Sequence, residues 1–227
     1  MIEFLFLDLD DTILDFHRAE REAISETFRS FGLEPTEEVL SRYHEINIRH
    51  WQMLERGELT RDQVLVNRFG VLFDSLGMEA DPTLCARIYE HNLGEKHYFL
   101  PGAKEAVQTL HGKYRLFLAS NGTACVQHSR LTASGLYPYF EQVFISQELG
   151  VNKPSLDYFQ ACFGKISDFD PAKAIMVGDS LSSDIQGGIN AGLPTVWVNP
   201  GHEKARGVTP DYEIESITQL DALLQTL

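Results

Sequence analysis

A short apolar run that ends abruptly in acidic residues most constrains how this chain folds. The run Phe4–Leu7 is followed directly by Asp8, Asp10 and Asp11. Side chains on a strand alternate in direction, so Asp8 and Asp10 point to the same side at its end. Neighbouring carboxylates repel each other unless a cation or a shared proton joins them. The run therefore indicates a metal site, a nucleophile with an acid–base partner, or both, and a helix start is the structural alternative.

Composition and charge exclude several classes of protein. The chain has 227 residues, 43% of them hydrophobic, which suits one globular domain with an inserted subdomain. A net charge of −14 argues against nucleic-acid binding, which needs a basic surface. No apolar run is long enough to span a membrane, and no basic leader precedes the first strand. Three widely spaced cysteines form no disulfide or zinc pattern, so we expect a cytoplasmic protein.

Apolar runs that alternate with helical segments predict an α/β fold with a doubly wound, Rossmann-like parallel sheet. Runs without internal alternation suit strands that are buried on both faces. The expected strands are Ile2–Leu7, Arg115–Ala119, Val143–Ile145, Ala174–Val177, Thr195–Val198 and Tyr212–Ile214. The expected helices between them are Gly102–His111, Thr123–Ser134, Ser155–Lys165 and Ser183–Ala191. In such folds ligands bind beyond the carboxyl ends of the strands.

Residues 17–98 depart from this alternation and are predicted to form a block of helices. Apolar residues recur on one face of the first segment, which Gly32 ends. A capping box at Thr60–Gln63 and the pair Asp81-Pro82 mark the starts of two further helices. An insertion of this length is far longer than an ordinary connection between strands. We therefore predict an α/β core of residues 1–16 and 99–227, with an inserted all-helical cap of residues 17–98.

Three further motifs follow later strands. The segment Ser120–Gly122 offers a hydroxyl and backbone N–H groups to a phosphate oxygen, although such residues also form ordinary turns. Lys153 lies in a loop before a helix, where a lone lysine is usually solvent-exposed. Asp179 follows an apolar strand and Asp184 comes one turn later, where a helix N-cap is the alternative. Each motif is ambiguous alone, and their order along the chain is what is specific.

In this order the four motifs resemble those of the haloacid dehalogenase superfamily of hydrolases, over essentially the whole chain. The resemblance implies a phosphoric monoester hydrolase that depends on Mg²⁺ and forms an aspartyl-phosphate. Asp8 would be the nucleophile, and Asp10 would be the general acid and base. Mg²⁺ would be held by Asp8, the backbone carbonyl of Asp10 and Asp179. Members that cleave carbon–halogen bonds lack an acid at the place of Asp10, so this chain is expected to act on phosphate.

The resemblance also implies supporting roles for other residues of the four motifs. Lys153 would neutralise the nucleophile and the transferring phosphoryl group. Ser120 and the backbone N–H of Asn121 would bind phosphoryl oxygens. Thr12 would fix the loop after the nucleophile, and Asp184 would support the metal through its ligands.

The substrate is expected to depend on the cap. The segment Gly187–Gly192, followed by Trp197–Asn199 and Gly201-His202, is similar to the house-cleaning pyrimidine 5′-nucleotidases of the superfamily. Spaced residues of the cap between Tyr43 and Phe69 share this similarity. It implies hydrolysis of nucleoside 5′-monophosphates such as UMP, dUMP and dTMP, and of nucleotides with non-standard pyrimidines.

Three residues are candidates for recognising the base of such a substrate. Phe16 or Trp51 would stack on the base, and Asn47 would hydrogen-bond its edge, with packing as the alternative role for each. Two other functions stay open. One is a phosphatase for a small phosphorylated metabolite such as phosphoglycolate or a sugar phosphate, and the other is a catalytically silent binding protein on the same fold. The sequence is compatible with a monomer or a homodimer.

Overall fold

The chain consists of two compact units. The computed structural model describes residues 1–205 and 207–227. One unit comprises residues 1–16 and 97–227, and the other comprises residues 17–96. We call the first the core and the second the cap. The sequence predicted the return to the core at residue 99.

A six-stranded parallel sheet forms the centre of the core. Its strands in chain order are β1 (Phe4–Leu7), β2 (Arg115–Ser120), β3 (Gln142–Ile145), β4 (Ala174–Gly178), β5 (Thr195–Val198) and β6 (Tyr212–Ile214). Their order across the sheet is β3-β2-β1-β4-β5-β6, and each pairing is parallel. The strand order therefore reverses between β1 and β4, which is the position where ligands bind in such sheets. The predicted doubly wound α/β fold is confirmed.

Four helices form the cap: α1 (Phe16–Ser30), α2 (Glu37–Glu55), α3 (Arg61–Leu76) and α4 (Pro82–Gly94). The capping box opens α3 as its sequence pattern indicates, and Asp81 caps α4. Three rings pack at the centre of the cap, with centroids 5.5 to 5.9 Å apart: Tyr43, Phe69 and Tyr89. Within the described ranges, no helix combines the length and apolar character needed to cross a membrane.

Within the described residues, the core carries six further α-helices: α5 (Ala103–His111), α6 (Ala124–Ser134), α7 (Ser146–Leu149), α8 (Leu156–Phe163), α9 (Gln186–Asn190) and α10 (Leu220–Leu224). The predicted segment Ser183–Ala191 is divided between a π-helical turn, Leu181–Ile185, and α9. The short helices α7 and α10 were not predicted. Too few residues lie in either of them for an apolar periodicity to develop.

Both faces of the sheet are buried, which explains why the strands read as continuous apolar runs. On one face Leu5 and Leu7 of β1 pack in a cluster with residues of α5 and α10. On the other face Phe4 and Phe6 pack in a second cluster with residues of α8. Because both faces of the sheet are covered, a ligand can reach it only at the ends of the strands.

Candidate active site

A tight turn after β1 fixes the first acidic residues. The N–H of Asp8 bonds to the carbonyl of Val177 on neighbouring β4 at 2.9 Å, which continues the strand pairing by one residue. Asp11 then adopts a φ of 54°, in the left-handed region. Its N–H donates to the carbonyl of Leu14 at 2.7 Å, and the N–H of Leu14 donates to the carbonyl of Leu9 at 2.9 Å. The backbone of this loop is therefore held by its own hydrogen bonds.

The ammonium group of Lys153 lies at the centre of the site. Its side chain is buried, and Nζ donates to Asp8 Oδ1 at 2.7 Å, to Asp184 Oδ1 at 2.6 Å and to the Ala119 carbonyl at 2.6 Å. An ammonium has three donors, so protein acceptors occupy all of them. Lys153 is thus not a solvent-exposed lysine, and in this arrangement it orients Asp8. Its predicted contact with a phosphoryl group stays a prediction.

The side chain of Asn121 positions Lys153 through the backbone. Asn121 Oδ1 accepts the N–H of Lys153 at 2.9 Å, and Nδ2 donates to its carbonyl at 2.9 Å. The sequence suggested only a substrate-binding role for the backbone N–H of Asn121, and this side-chain role was missed. These two hydrogen bonds join the loop after β2 to the loop that carries Lys153.

Asp184 occupies a position that only glycine at residue 178 permits. Its Oδ2 accepts the N–H of Ser180 at 3.0 Å, while Oδ1 bonds to Lys153. A Cβ atom on Gly178 would lie 2.2 Å from Asp184 Oδ2. Because Asp184 is buried and bonded through both oxygens, it has little freedom to move aside. Gly178 therefore admits the carboxylate that supports Lys153.

Two contacts from outside its own loop fix Asp179. The hydroxyl of Thr12 donates to Asp179 Oδ1 at 3.3 Å. The indole Nε1 of Trp197, on β5, donates to the Asp179 carbonyl at 2.7 Å. Thr12 thus connects the turn after the first strand to the residue that follows β4. The role of Trp197 was not identified from the sequence, because it depends on β4 and β5 being neighbours.

Asp10 is held by two residues of α6 that sequence reasoning missed. Gln127 Nε2 donates to Asp10 Oδ2 at 2.7 Å, and Arg130 Nη1 donates to Asp10 Oδ1. Gln127 also donates to the hydroxyl of Ser120 at 2.8 Å. A spacing of three residues places Gln127 and Arg130 on one face of the helix that follows the Ser120–Gly122 segment. That spacing was the available signal.

The acidic residues form a group that suits a hard cation. Carboxylate oxygens of Asp8, Asp179 and Asp184 lie within 4.8 Å of one another. Lys153 supplies one positive charge to these three carboxylates, which leaves negative charge in a largely buried place. Oxygen-only ligands are those that Mg²⁺ prefers. Since Asp184 is already bonded to Lys153 and Ser180, Asp8 and Asp179 are the side chains best placed to bind the ion.

Burial and mutual repulsion govern the protonation of this group. Burial raises the pKa of Asp179 well above its ordinary value, and the carboxylates of Asp184 and Asp8 add to the rise. Burial also raises the pKa of Asp8 well above its ordinary value, against the opposing charge of Lys153. Burial alone would lower the pKa of Lys153, but Asp184 and Asp8 outweigh it and the pKa is raised. The lysine is therefore a permanent cation, and the carboxylates compete for protons or metal.

The three predicted specificity residues occupy different surroundings. The amide of Asn47 is engaged inside the cap, where Nδ2 donates to Glu20 Oε1 at 2.6 Å and Oδ1 accepts from Arg68 at 2.7 Å. Trp51 is half-buried, with the Arg61 guanidinium 5.5 Å from its ring centroid. Phe16 is half-buried and belongs to the core unit. Their roles in substrate recognition stay predictions.

Replacing Gly178 by alanine tests the close approach of Asp184. We expect Gly178→Ala to lower the free energy of unfolding by about 1–3 kcal/mol, because the new methyl group displaces a buried, bonded carboxylate. Urea unfolding measures this change. Gly70→Ala is the matched control, since Gly70 lies within α3 and a Cβ atom added there would meet nothing within 4 Å. It should raise the unfolding free energy by about 0.5–1 kcal/mol, and a loss in both variants would contradict the steric explanation.

The raised pKa of Asp179 predicts how stability changes with pH. Its folded-state pKa lies above that of the unfolded chain, so the folded protein binds more protons and loses stability as pH rises from about 4. Asp179→Asn removes this contribution. We expect the metal-free variant to exceed the wild type in unfolding free energy by about 1 kcal/mol or more at pH 7.5, and by less at pH 5.

Adding Mg²⁺ should make the wild type more stable than Asp179→Asn. The ion competes with protons for Asp8 and Asp179, so it should raise the melting temperature of the wild type more at pH 7.5 than at pH 5. It should leave the melting temperature of Asp179→Asn nearly unchanged. Thermal melts in EDTA and in Mg²⁺ at both pH values measure these effects. A pH-independent difference between the two proteins would show that Asp179 does not titrate as described.

Comparison with known proteins identifies the family of this chain. The family model for haloacid dehalogenase-like hydrolases matches residues 2–192. Pyrimidine 5′-nucleotidase PynA of Streptococcus pneumoniae is 37% identical, over 96% of this chain and 93% of its own. Pyrimidine 5′-nucleotidase YjjG of Escherichia coli is 30% identical, over 98% of this chain and 97% of its own.

A solved structure extends this similarity to three dimensions. The magnesium-bound crystal structure of the HAD-hydrolase YfnB from Bacillus subtilis superimposes with a TM-score of 0.94 and 36% identity. The match covers 98% of both chains, so it includes the helical insertion as well as the sheet. Family, relatives and structure point the same way, and this chain belongs to the haloacid dehalogenase-like hydrolase family.

Proposed function

We propose that this protein is a Mg²⁺-dependent phosphatase that hydrolyses pyrimidine nucleoside 5′-monophosphates, UMP, dUMP and dTMP among them. The observation that carries the proposal is a buried Asp8, oriented by Lys153, beside a second carboxylate, Asp10, with different partners. The similarity to two proteins named pyrimidine 5′-nucleotidase over nearly the whole chain supports the substrate class. Nucleotides with non-standard pyrimidines belong to the same proposed class.

The first step transfers the phosphoryl group to Asp8. Its Oδ1 is held by Lys153, and Oδ2 accepts no hydrogen bond within the described part of the chain. Oδ2 attacks phosphorus, and the bond between phosphorus and the nucleoside O5′ breaks. Asp10, in its protonated form, gives its proton to the departing O5′. The products of this step are the nucleoside and an aspartyl-phosphate on Asp8.

The second step releases phosphate and restores the enzyme. Asp10 is now a carboxylate, and it takes a proton from a water molecule as that water attacks phosphorus. The bond between phosphorus and the Asp8 oxygen breaks, and orthophosphate leaves. Lys153 keeps Asp8 Oδ1 in place and stabilises the negative charge that returns to the carboxylate. Both steps use the same two carboxylates with their proton states exchanged.

Asp8 and Asp179 would hold Mg²⁺, together with the backbone carbonyl of Asp10. When bound, the ion supplies positive charge that lowers the repulsion between the carboxylate nucleophile and an anionic phosphate. The oxygen-only ligand set, with its raised pKa values, favours this assignment. Thr12 and Trp197 keep Asp179 in position for it.

A substrate panel tests the proposal directly. Phosphate release is measured from UMP, dUMP, dTMP, purine nucleotides, phosphoglycolate, a sugar phosphate and 4-nitrophenyl phosphate, each in Mg²⁺ and in EDTA. We expect Mg²⁺-dependent release with the highest kcat/KM for a pyrimidine nucleotide. Asp8→Asn should lower kcat about 10³-fold or more, because the nucleophile is lost.

The other outcomes of the panel are equally informative. If kcat/KM is highest for a small metabolite ester, the proposed mechanism would still hold but the proposed substrate class would be wrong. Release that survives EDTA would contradict the assignment of the metal. No release from any compound by the folded wild type would favour a binding protein on this fold.

The ring of Trp51 is proposed to stack on the base of the nucleotide. If it does, Trp51→Ala should raise KM for the preferred nucleotide by about tenfold, which corresponds to one lost aromatic contact of about 1–1.5 kcal/mol. KM for 4-nitrophenyl phosphate should change less, because that ester has no base. Leu84→Ala on α4 is the control, since Leu84 is also a large apolar residue of the cap and is exposed. Equal changes in KM for both substrates would argue against stacking.

A further inference from the structure

Two buried residues of α6 bind both oxygens of the Asp10 carboxylate. Gln127 Nε2 donates to Oδ2 at 2.7 Å, and Arg130 Nη1 donates to Oδ1. The Arg130 side chain is fully buried, whereas that of Asp10 is 26% exposed. A guanidinium removed from water requires charged or polar partners to offset its desolvation. Arg130 therefore binds the Asp10 carboxylate from its buried side and leaves part of that group exposed.

The two donors are themselves fixed by hydrogen bonds. Arg130 Nη1 also donates to Gln127 Oε1 at 2.9 Å, and Gln127 Nε2 also donates to the Ser120 hydroxyl at 2.8 Å. The Gln127 amide therefore has only one orientation that satisfies all of these bonds. Because each member restrains the next, the carboxylate of Asp10 has little rotational freedom.

A glycine provides the space that this network needs. A Cβ atom on Gly122 would lie 2.4 Å from Gln127 Nε2 and 2.6 Å from its Cδ. The Gln127 side chain passes directly over Gly122 on its way to Asp10. The absence of a side chain at residue 122 therefore does more than permit a turn, since it lets an amide from α6 reach the catalytic loop.

We propose that Gln127 and Arg130 are positioning residues for the general acid–base Asp10. They hold its carboxyl group in the orientation that gives a proton to the leaving oxygen and later takes one from water. Each Asp10 oxygen accepts one bond and retains a lone pair for the transferred proton. This inference rests on the proposed function, because it assumes the acid–base role of Asp10.

The alternative is that Arg130 serves only to stabilise the fold. A purely structural residue would affect every substrate equally when it is replaced. A positioning residue for a general acid should matter most when the leaving group is a poor one. The alkoxide of a nucleoside needs a proton to depart, whereas 4-nitrophenolate leaves readily without one. Comparing the two substrates therefore separates the explanations.

Arg130→Met and Gln127→Leu are the test variants. We expect Arg130→Met to lower kcat for UMP about 10- to 100-fold, with KM for UMP changed less than about threefold. In single-turnover reactions with 4-nitrophenyl phosphate, nitrophenolate release should stay within about threefold of wild type. Gln127→Leu should show the same pattern with a smaller loss. Arg130→Lys, which keeps the charge but not the planar donor group, should recover part of the UMP activity.

Arg115→Met is the matched control. Arg115 lies at the start of β2, at the end of the strand away from Ser120, and its guanidinium binds the Glu141 carboxylate at 2.7 Å. Its replacement, like that of Arg130, removes an ion pair from the core. Because Arg115 lies at the far end of the strand from Ser120, kcat and KM of Arg115→Met for both substrates should stay close to wild type. Melting temperatures show whether each variant is folded. If Arg130→Met does not fold, the comparison of the two substrates is made with Gln127→Leu and Arg130→Lys.

A double variant completes the test. Asp10→Asn should abolish UMP turnover while leaving single-turnover release from 4-nitrophenyl phosphate measurable, and Asp10→Asn/Arg130→Met should show no further loss in that release. An additional loss in the double variant, an equal loss on both substrates, or full UMP activity in Arg130→Met would each overturn the inference. Full UMP activity in Asp10→Asn would instead remove the acid–base role itself, which is a failure of the proposed function.

Discussion

The ammonium group of Lys153 is the interaction on which the rest of the site depends. It joins Asp8, which follows β1, to Asp184, which follows β4, and to the carbonyl of Ala119 on β2. Without this charge, the carboxylates of Asp8 and Asp184 would face each other in a buried place with no counter-ion. Asn121 binds the backbone of the same lysine, so both the backbone and the ammonium group of Lys153 are fixed. The contacts that join these strands and loops are therefore also the contacts that orient Asp8.

The parallel register of the sheet explains how residues so distant in sequence meet. Leu7 of β1 pairs with Leu118 of β2 and with Val177 of β4, so the three strands end within two residues of the same level. The next residues along these strands carry Asp8, Ser120 and Asp179 to one edge. The reversal of strand order between β1 and β4 opens that edge to a ligand. The acidic residues lie beyond the carboxyl ends of the strands, where polar side chains are not forced between two apolar layers.

The sequence predicted the fold and the carboxylates because both leave local patterns. Six apolar runs became six strands, and acidic residues directly after two of them marked the edge of the sheet. Gln127 and Arg130 left only a spacing of three residues on one helix, which does not identify their partner. Their partner Asp10 lies 117 and 120 positions away, and on α6 they look like ordinary polar residues. Asn47 illustrates the same limit in the cap, since its hydrogen bonds to Glu20 and Arg68 connect three helices that the sequence alone does not orient.

Two carboxylates separated by one residue acquire different chemistry from their surroundings. Asp8 is buried against the permanent cation of Lys153, which orients one oxygen and leaves the other for the proposed attack on phosphorus. Asp10 lies nearer solvent and is bound by an amide and a guanidinium from α6, which fix its direction. Environments that differ in this way are how a pair of like groups divides the roles of nucleophile and acid–base. The division here is set by which strand or helix supplies each partner: the loop before α8 orients Asp8, and α6 orients Asp10.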